Sequence, residues 1–244
     1  MRPSQPLATL ARRLLILMLF AGLSLVSACN EDAQDSPGKA ESAPAQAPAA
    51  EPPAPDPLRN PALAQEKAPD HFRVQLDTTR GKIILAVERA WSPMGADRFY
   101  NLVTIGFFDE IAVFRVIENF MAQFGIHGDP GVSRVWQRAT IKDDPVVESN
   151  TRGTLSFAKT GRPHSRTTQI FINFKDNTNL DGMGFSPFAR VVEGMDVVDE
   201  IYKVGEGRPR GPGPNQNRIQ TMGNAFLEKN FPKLDYIKGA RIVD

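Results

Sequence analysis

Cysteine is almost absent from this 244-residue chain: the single Cys29 excludes an internal disulfide and any thiolate-rich metal cluster. Histidine is nearly as scarce, and His71, His127 and His164 show none of the spacings of a metal site. Charge of one sign is missing too. With 29 basic and 28 acidic residues there is no broad basic field of the kind that holds nucleic acid. The glycines between Gly205 and Gly213 lack a Gly-Lys-Ser/Thr ending, so that stretch reads as a surface excursion rather than a phosphate cradle. Ser156 and Ser165 have no nucleophile-elbow context, which leaves hydrolase chemistry without support.

What is present divides into three unlike segments. Residues 1–28 hold Arg2, Arg12 and Arg13 and no acid, and Leu14 to Val26 is apolar apart from Ser24. That run has the length of a signal peptide and is too short to span a bilayer comfortably. It leads into Leu25-Val26-Ser27-Ala28-Cys29, which resembles the bacterial lipoprotein signal, where cleavage before the cysteine leaves that residue lipid-modified. The resemblance implies that residues 1–28 are removed and that Cys29 is the lipidation site. It also implies a chain anchored to a membrane of the cell envelope, facing the periplasm or another extracytoplasmic space. With the three signal arginines set aside, the formal charge moves from +1 to −2.

Residues 29–69 contain 11 alanines and 9 prolines and no aromatic residue, with Leu58 and Leu63 as the only large aliphatics. Such a segment buries too little apolar surface to offset the entropy of ordering its backbone, so it is expected to be a disordered tether. Prolines such as those in Glu51-Pro52-Pro53-Ala54-Pro55 favour extended polyproline conformations.

The folded domain is therefore expected over residues 70–244, which hold 14 of the 15 phenylalanines. Phe72 to Thr78 alternates apolar and polar residues, and Thr79-Arg80-Gly81 turns it into Lys82 to Val87, a hairpin. Ser92 and Pro93 open a helix that carries Ala96, Phe99, Leu102 and Val103 on one face and stops at Gly106. Further strands are expected at Ala112–Ile117, Phe120–Ile126, Gly153–Ala158, Gln169–Asn173, Pro187–Val192 and Ile237–Val243, and a short helix at Met195–Tyr202. Eight strands with two helices point to a mainly β fold, an eight-stranded antiparallel β-barrel capped by two helices.

A charged residue inside an apolar strand requires an explanation, and Val113-Phe114-Arg115-Val116-Ile117 holds one. Shortly after it, Phe120-Met121-Ala122-Gln123 puts Met121 and Gln123 on one strand face. Phe114-Arg115-Val116-Ile117 through Phe120-Met121-Ala122-Gln123 resembles the signature of the cyclophilins, the peptidyl-prolyl cis/trans isomerases. Gly153-Thr154-Leu155-Ser156-Phe157-Ala158-Lys159, Gln169-Ile170-Phe171-Ile172-Asn173 and Asn179-Leu180-Asp181-Gly182 come next in family order. Phe114, Asn179 and Ile170 depart from it, standing where relatives carry histidine, often tryptophan, and phenylalanine.

The resemblance implies an isomerase acting on proline-containing polypeptides, without a cofactor or metal and working as a monomer. An amide resists rotation by about 18–20 kcal/mol because nitrogen shares its lone pair with the carbonyl. In the twisted transition state the prolyl nitrogen regains that pair and accepts a hydrogen bond it could not accept before. Arg115 is the implied donor, with Gln123 fixing a substrate carbonyl. Phe120, Met121, Phe171 and Leu180 are the implied proline pocket, and Phe157, Ala158 and Lys159 are implied to run beside the substrate backbone. The alternative carried by the same residues is a non-catalytic module that binds proline-containing segments of an envelope partner.

Overall fold

A computed structural model of the chain describes residues 54–244. The signal segment and Cys29 lie outside the described residues, as does most of the expected tether. Residues 54–69, expected to be disordered, are instead laid against the domain. The Trp136 indole donates to the Leu58 carbonyl over 2.8 Å, and Ala64 and Ala68 are buried. Asn101 accepts from the Glu66 amide and Asp97 from the Ala68 amide. The segment thus buries two small alanines while polar side chains of the domain satisfy its backbone.

Among the described residues the domain has nine strands and four α-helices, besides short 3-10 turns: β1 (His71–Thr78), β2 (Gly81–Glu88), α1 (Pro93–Thr104), β3 (Ile111–Ala112), β4 (Arg115–Ile117), β5 (Met121–Phe124), α2 (Pro130–Trp136), β6 (Thr154–Phe157), β7 (Ile170–Asn173), β8 (Pro187–Glu193), α3 (Met195–Glu200), α4 (Gln216–Asn230) and β9 (Tyr236–Val243). Every strand pairing is antiparallel, in the order β3-β9-β1-β2-β8-β6-β7-β5-β4. The strand expected over Ala112–Ile117 is thus two strands at opposite ends of that order, with only Val113 and Phe114 between them. Two edges joined by so short a link require the sheet to curl round on itself, giving a barrel of nine strands rather than eight.

The hairpin β1–β2 turns through Thr79 and Arg80, with the Thr78 hydroxyl accepting from the Arg80 and Gly81 amides. Helix α1 begins at Pro93 with Ser92 in the N-cap position as expected, but the Ser92 side chain makes no capping bond. Its hydroxyl donates to Asp144, whose carboxylate also accepts from the Met94 and Gly95 amides, so an acid 50 residues downstream neutralises the helix start. Gly106 ends the helix at φ +72°, and the Phe107 amide reaches back to the Leu102 carbonyl.

Inside the barrel, Phe99 packs against Phe108 and Phe188, and Phe188 in turn against Phe157, with ring centroids 5.1–5.5 Å apart. Arg98, also on α1, is buried beneath the Trp136 ring. It donates to the Ala139 and Thr167 carbonyls, and burial pulls its pKa down to about 10.

Candidate active site

Strand alternation builds the site. On β4, β5 and β7, Val116, Ala122 and Ile172 face the core, so Arg115, Met121, Gln123 and Phe171 face the other way. Met121, Phe171 and Leu180 form an apolar cluster separate from the main core, with Phe120, Ala158 and Phe185 packed on it. This cluster floors a cavity of about 540 Å³.

The turn from β4 to β5 runs through Asn119 at φ +56°, a conformation asparagine tolerates better than most residues. Asn177 pins the far end of that turn: its side chain donates to the Phe120 carbonyl over 2.9 Å and to Asn173 over 2.8 Å. Its backbone carbonyl accepts from the Leu180 amide, so one asparagine ties two sides of the pocket together. Asp181, next to Leu180, accepts from Ser149 and from both Asn150 nitrogens. Burial alone would raise its pKa, but these hydrogen bonds outweigh burial and hold the carboxyl below its ordinary value.

At the rim, Arg115 and Gln123 are register partners, and Arg115 Nη1 donates to Gln123 Oε1 over 2.9 Å. Gln123 Nε2 passes the chain on to Gln169 at 2.8 Å. On its other edge the guanidinium forms a two-point pair with Glu206, Nε to Oε1 at 2.8 Å and Nη2 to Oε2 at 2.7 Å. One Nη2 hydrogen stays unpaired among the described residues, and Nη1 also approaches the soft Met121 sulfur at 3.7 Å. Arg115 is one-fifth exposed, open to the cavity yet held.

Eight of the residues picked out from the sequence thus meet at one cavity: Arg115, Phe120, Met121, Gln123, Ala158, Lys159, Phe171 and Leu180. Phe157 does not. It is 1% exposed, with its ring against Phe188, because alternation along β6 sends Leu155 and Phe157 to the core. The Ala158 amide is also engaged, donating to the Gln169 carbonyl. Lys159 lies over the Phe185 ring, 5.6 Å from its centroid. Several lining residues are not among those picked out from the sequence: Gln137, Phe185 and Gln169, whose strand alone is legible, and Gln216 and Gln220 from α4.

The fold and the cavity define a class of protein: a curled antiparallel barrel bearing an apolar-floored cleft, rimmed by amide and guanidinium donors of the kind a polypeptide backbone can use. The family model for "Cyclophilin type peptidyl-prolyl cis-trans isomerase/CLD" matches residues 72–224. Peptidyl-prolyl cis-trans isomerase B of Escherichia coli is 38% identical over 143 residues, 55% of this chain and 87% of that protein. Peptidyl-prolyl cis-trans isomerase cyp18 of Streptomyces antibioticus is 36% identical over 151 residues, 57% of this chain and 87% of that protein. Among solved structures, a cyclophilin type isomerase of Cryptosporidium parvum superposes with a TM-score of 0.53 at 18% identity, covering 71% of this chain and 98% of that one, a likeness of fold.

The chain belongs to the cyclophilin-type peptidyl-prolyl cis-trans isomerase family, and it is an enzyme of that class.

Proposed function

We propose that the protein accelerates rotation about X-Pro bonds in polypeptides folding outside the cytoplasm, with Arg115 as the catalytic donor. The carrying observation is the guanidinium fixed at the rim of an apolar-floored cleft by Gln123 and Glu206. Held there, its unpaired Nη2 hydrogen stabilises the prolyl nitrogen only once the amide has twisted, the differential binding that catalysis needs. Met121, Phe171 and Leu180 take the proline ring, Phe120 closes one side, and Ala158 and Lys159 border the chain of the substrate. A hundred-thousand-fold acceleration needs about 7 kcal/mol, more than one hydrogen bond supplies, so desolvation in the cleft and fixed orientation contribute the rest.

Location is argued from the first segment. The positive start, the apolar run and Leu25-Val26-Ser27-Ala28-Cys29 support a reading in which residues 1–28 are removed and Cys29 carries the lipid that would hold the domain at an envelope membrane. A tether begins there and ends before Leu58, where packing on the domain starts. Uncatalysed prolyl rotation takes tens of seconds or longer, so exported proteins with several X-Pro bonds are the natural substrates.

The catalytic reading is tested by NMR exchange or a protease-coupled assay on a short Ala-Pro peptide. The parent protein speeds exchange and Arg115→Ala does not; equal rates would remove Arg115 from the role. For the anchor, the parent incorporates labelled palmitate and sediments with membranes, whereas Cys29→Ser does neither. A Cys29→Ser chain that still takes up palmitate rules the lipoprotein reading out.

A further inference from the structure

We propose that Glu206 is a positioning residue for the isomerisation: its carboxylate holds the Arg115 guanidinium in the orientation from which the free Nη2 hydrogen meets the twisted prolyl bond. The inference rests on Arg115 being the catalytic donor.

A guanidinium on a long flexible stem samples many orientations unless its planar fork is engaged. Here the fork is engaged at both ends of one edge, Nε at 2.8 Å and Nη2 at 2.7 Å from the two Glu206 oxygens. Gln123 takes a third donor on the adjacent edge at 2.9 Å. Two contacts on one edge and one on the next fix the plane of the group, its rotation within that plane and its depth in the cleft.

Glu206 is itself held by hydrogen bonds of its own loop. The Gly205 amide donates to the Val116 carbonyl over 2.8 Å, tying the loop to β4 one residue past Arg115. The Glu206 carbonyl accepts from the Gly213 amide at 2.8 Å, and its Oε1 accepts from the Gly207 amide at 2.8 Å. The glycines that resembled a phosphate cradle serve this fold instead. A Cβ at Gly211 would lie 2.4 Å from the Glu206 carbonyl oxygen and one at Gly213 2.9 Å from it, so neither position admits a side chain. Asn215 then closes the loop onto the Arg208 carbonyl and caps α4, which sends Gln216 and Gln220 into the cavity wall. A single stretch of chain therefore both clamps the donor and shapes the cleft.

Charge agrees with geometry. The hydrogen bond from Arg115, with that of the Gly207 amide and the nearby Arg210 in support, keeps the Glu206 carboxyl below its ordinary value despite partial burial. The carboxylate is charged at neutral pH, and the clamp is present under working conditions.

The experiment measures kcat and KM on the Ala-Pro peptide for the parent, Glu206→Ala, Glu206→Gln and Arg115→Ala, together with the 15N-edited signal of the Arg115 Nε–H. Glu206→Ala lowers kcat about tenfold with KM within about twofold, because contact with the proline ring is untouched. Its Arg115 Nε–H exchanges rapidly with water where the parent's is protected. Glu206→Gln keeps one acceptor, recovers part of the rate and sits about threefold below the parent. If Glu206→Ala does not fold, Glu206→Gln decides: a threefold loss supports the role and the parent's rate overturns it. Parental or higher kcat in Glu206→Ala, or an unchanged Nε–H signal, overturns it as well. Should Arg115→Ala keep full activity, the catalytic reading has failed and the positioning role with it. If Arg115→Ala is inactive while Glu206→Ala matches the parent, the positioning role alone has failed.

Discussion

Arg115 and Gln123 stand directly opposite each other across the β4–β5 hairpin, and the 2.9 Å bond between them joins a charged donor to an amide that is itself held by Gln169. The pair is a product of register. A slip of one residue would turn Arg115 into the core and Val116 out to the cleft.

Removing this support has a measurable cost. Gln123→Ala frees one edge of the guanidinium and leaves Gln169 without its partner. The expected loss in kcat/KM is about tenfold, equivalent to about 1.4 kcal/mol of transition-state stabilisation, read in the Ala-Pro exchange assay.

Phe157 separates core from cleft. Its ring lies against Phe188 and away from the cavity. Phe157→Ala should lower unfolding free energy by about 3–5 kcal/mol in urea titrations. Peptide KM, measured well below the transition, should stay at the parental value. A raised KM with unchanged stability would return Phe157 to the groove.

Asp235 supplies a pH dependence. Its carboxylate accepts from Thr79, from Arg80 and from the Tyr202 amide, linking the β1–β2 turn and the end of α3 to the entry of β9. Burial by itself would raise its pKa, but these bonds outweigh burial and hold it below the ordinary value. A depressed carboxyl stabilises the fold fully above the unfolded value and loses that contribution as pH falls through the folded one. Stability should therefore hold above about pH 5 and decline as pH drops through about 4 and lower. Asp235→Asn should cost about 2–3 kcal/mol at about pH 7 and flatten the acid limb, as urea midpoints at about pH 7 and pH 4 will show.

The stretch before the first strand is part of the fold. A chain beginning at Asp70 loses the Leu58 acceptor of Trp136 and the burial of Ala64 and Ala68. Compared with one beginning at Ala54, it should be less stable by about 2 kcal/mol, seen as a lower urea midpoint with a nearly unchanged slope.

What can be read in the sequence depends on how far apart the partners lie. The strands and the cleft floor are legible because alternation and a lone arginine in an apolar run are local signals. Glu206 is not, since it reaches Arg115 across 91 residues and only the folding of the glycine loop brings it there. Helix α4 is hidden because Ile219, Phe226 and Leu227 are sparse among polar residues and Gly223 interrupts the helix at φ +62°. The Asn215 cap is the signal that could have revealed it. Residues 54–69 read as disordered because composition registers missing bulk and not the carbonyls and amides that side chains of the domain would bind.

The placement of β9 bears on how the protein is made. β9 lies between β3 and β1, so two strands wait for residues 236–243 before they are fully paired. While a ribosome is still adding those residues, β1 has a bare edge and β3 has no neighbour. Closure of the barrel therefore waits for residues 236–243, and until they are in place the open β1 edge needs protection from aggregation.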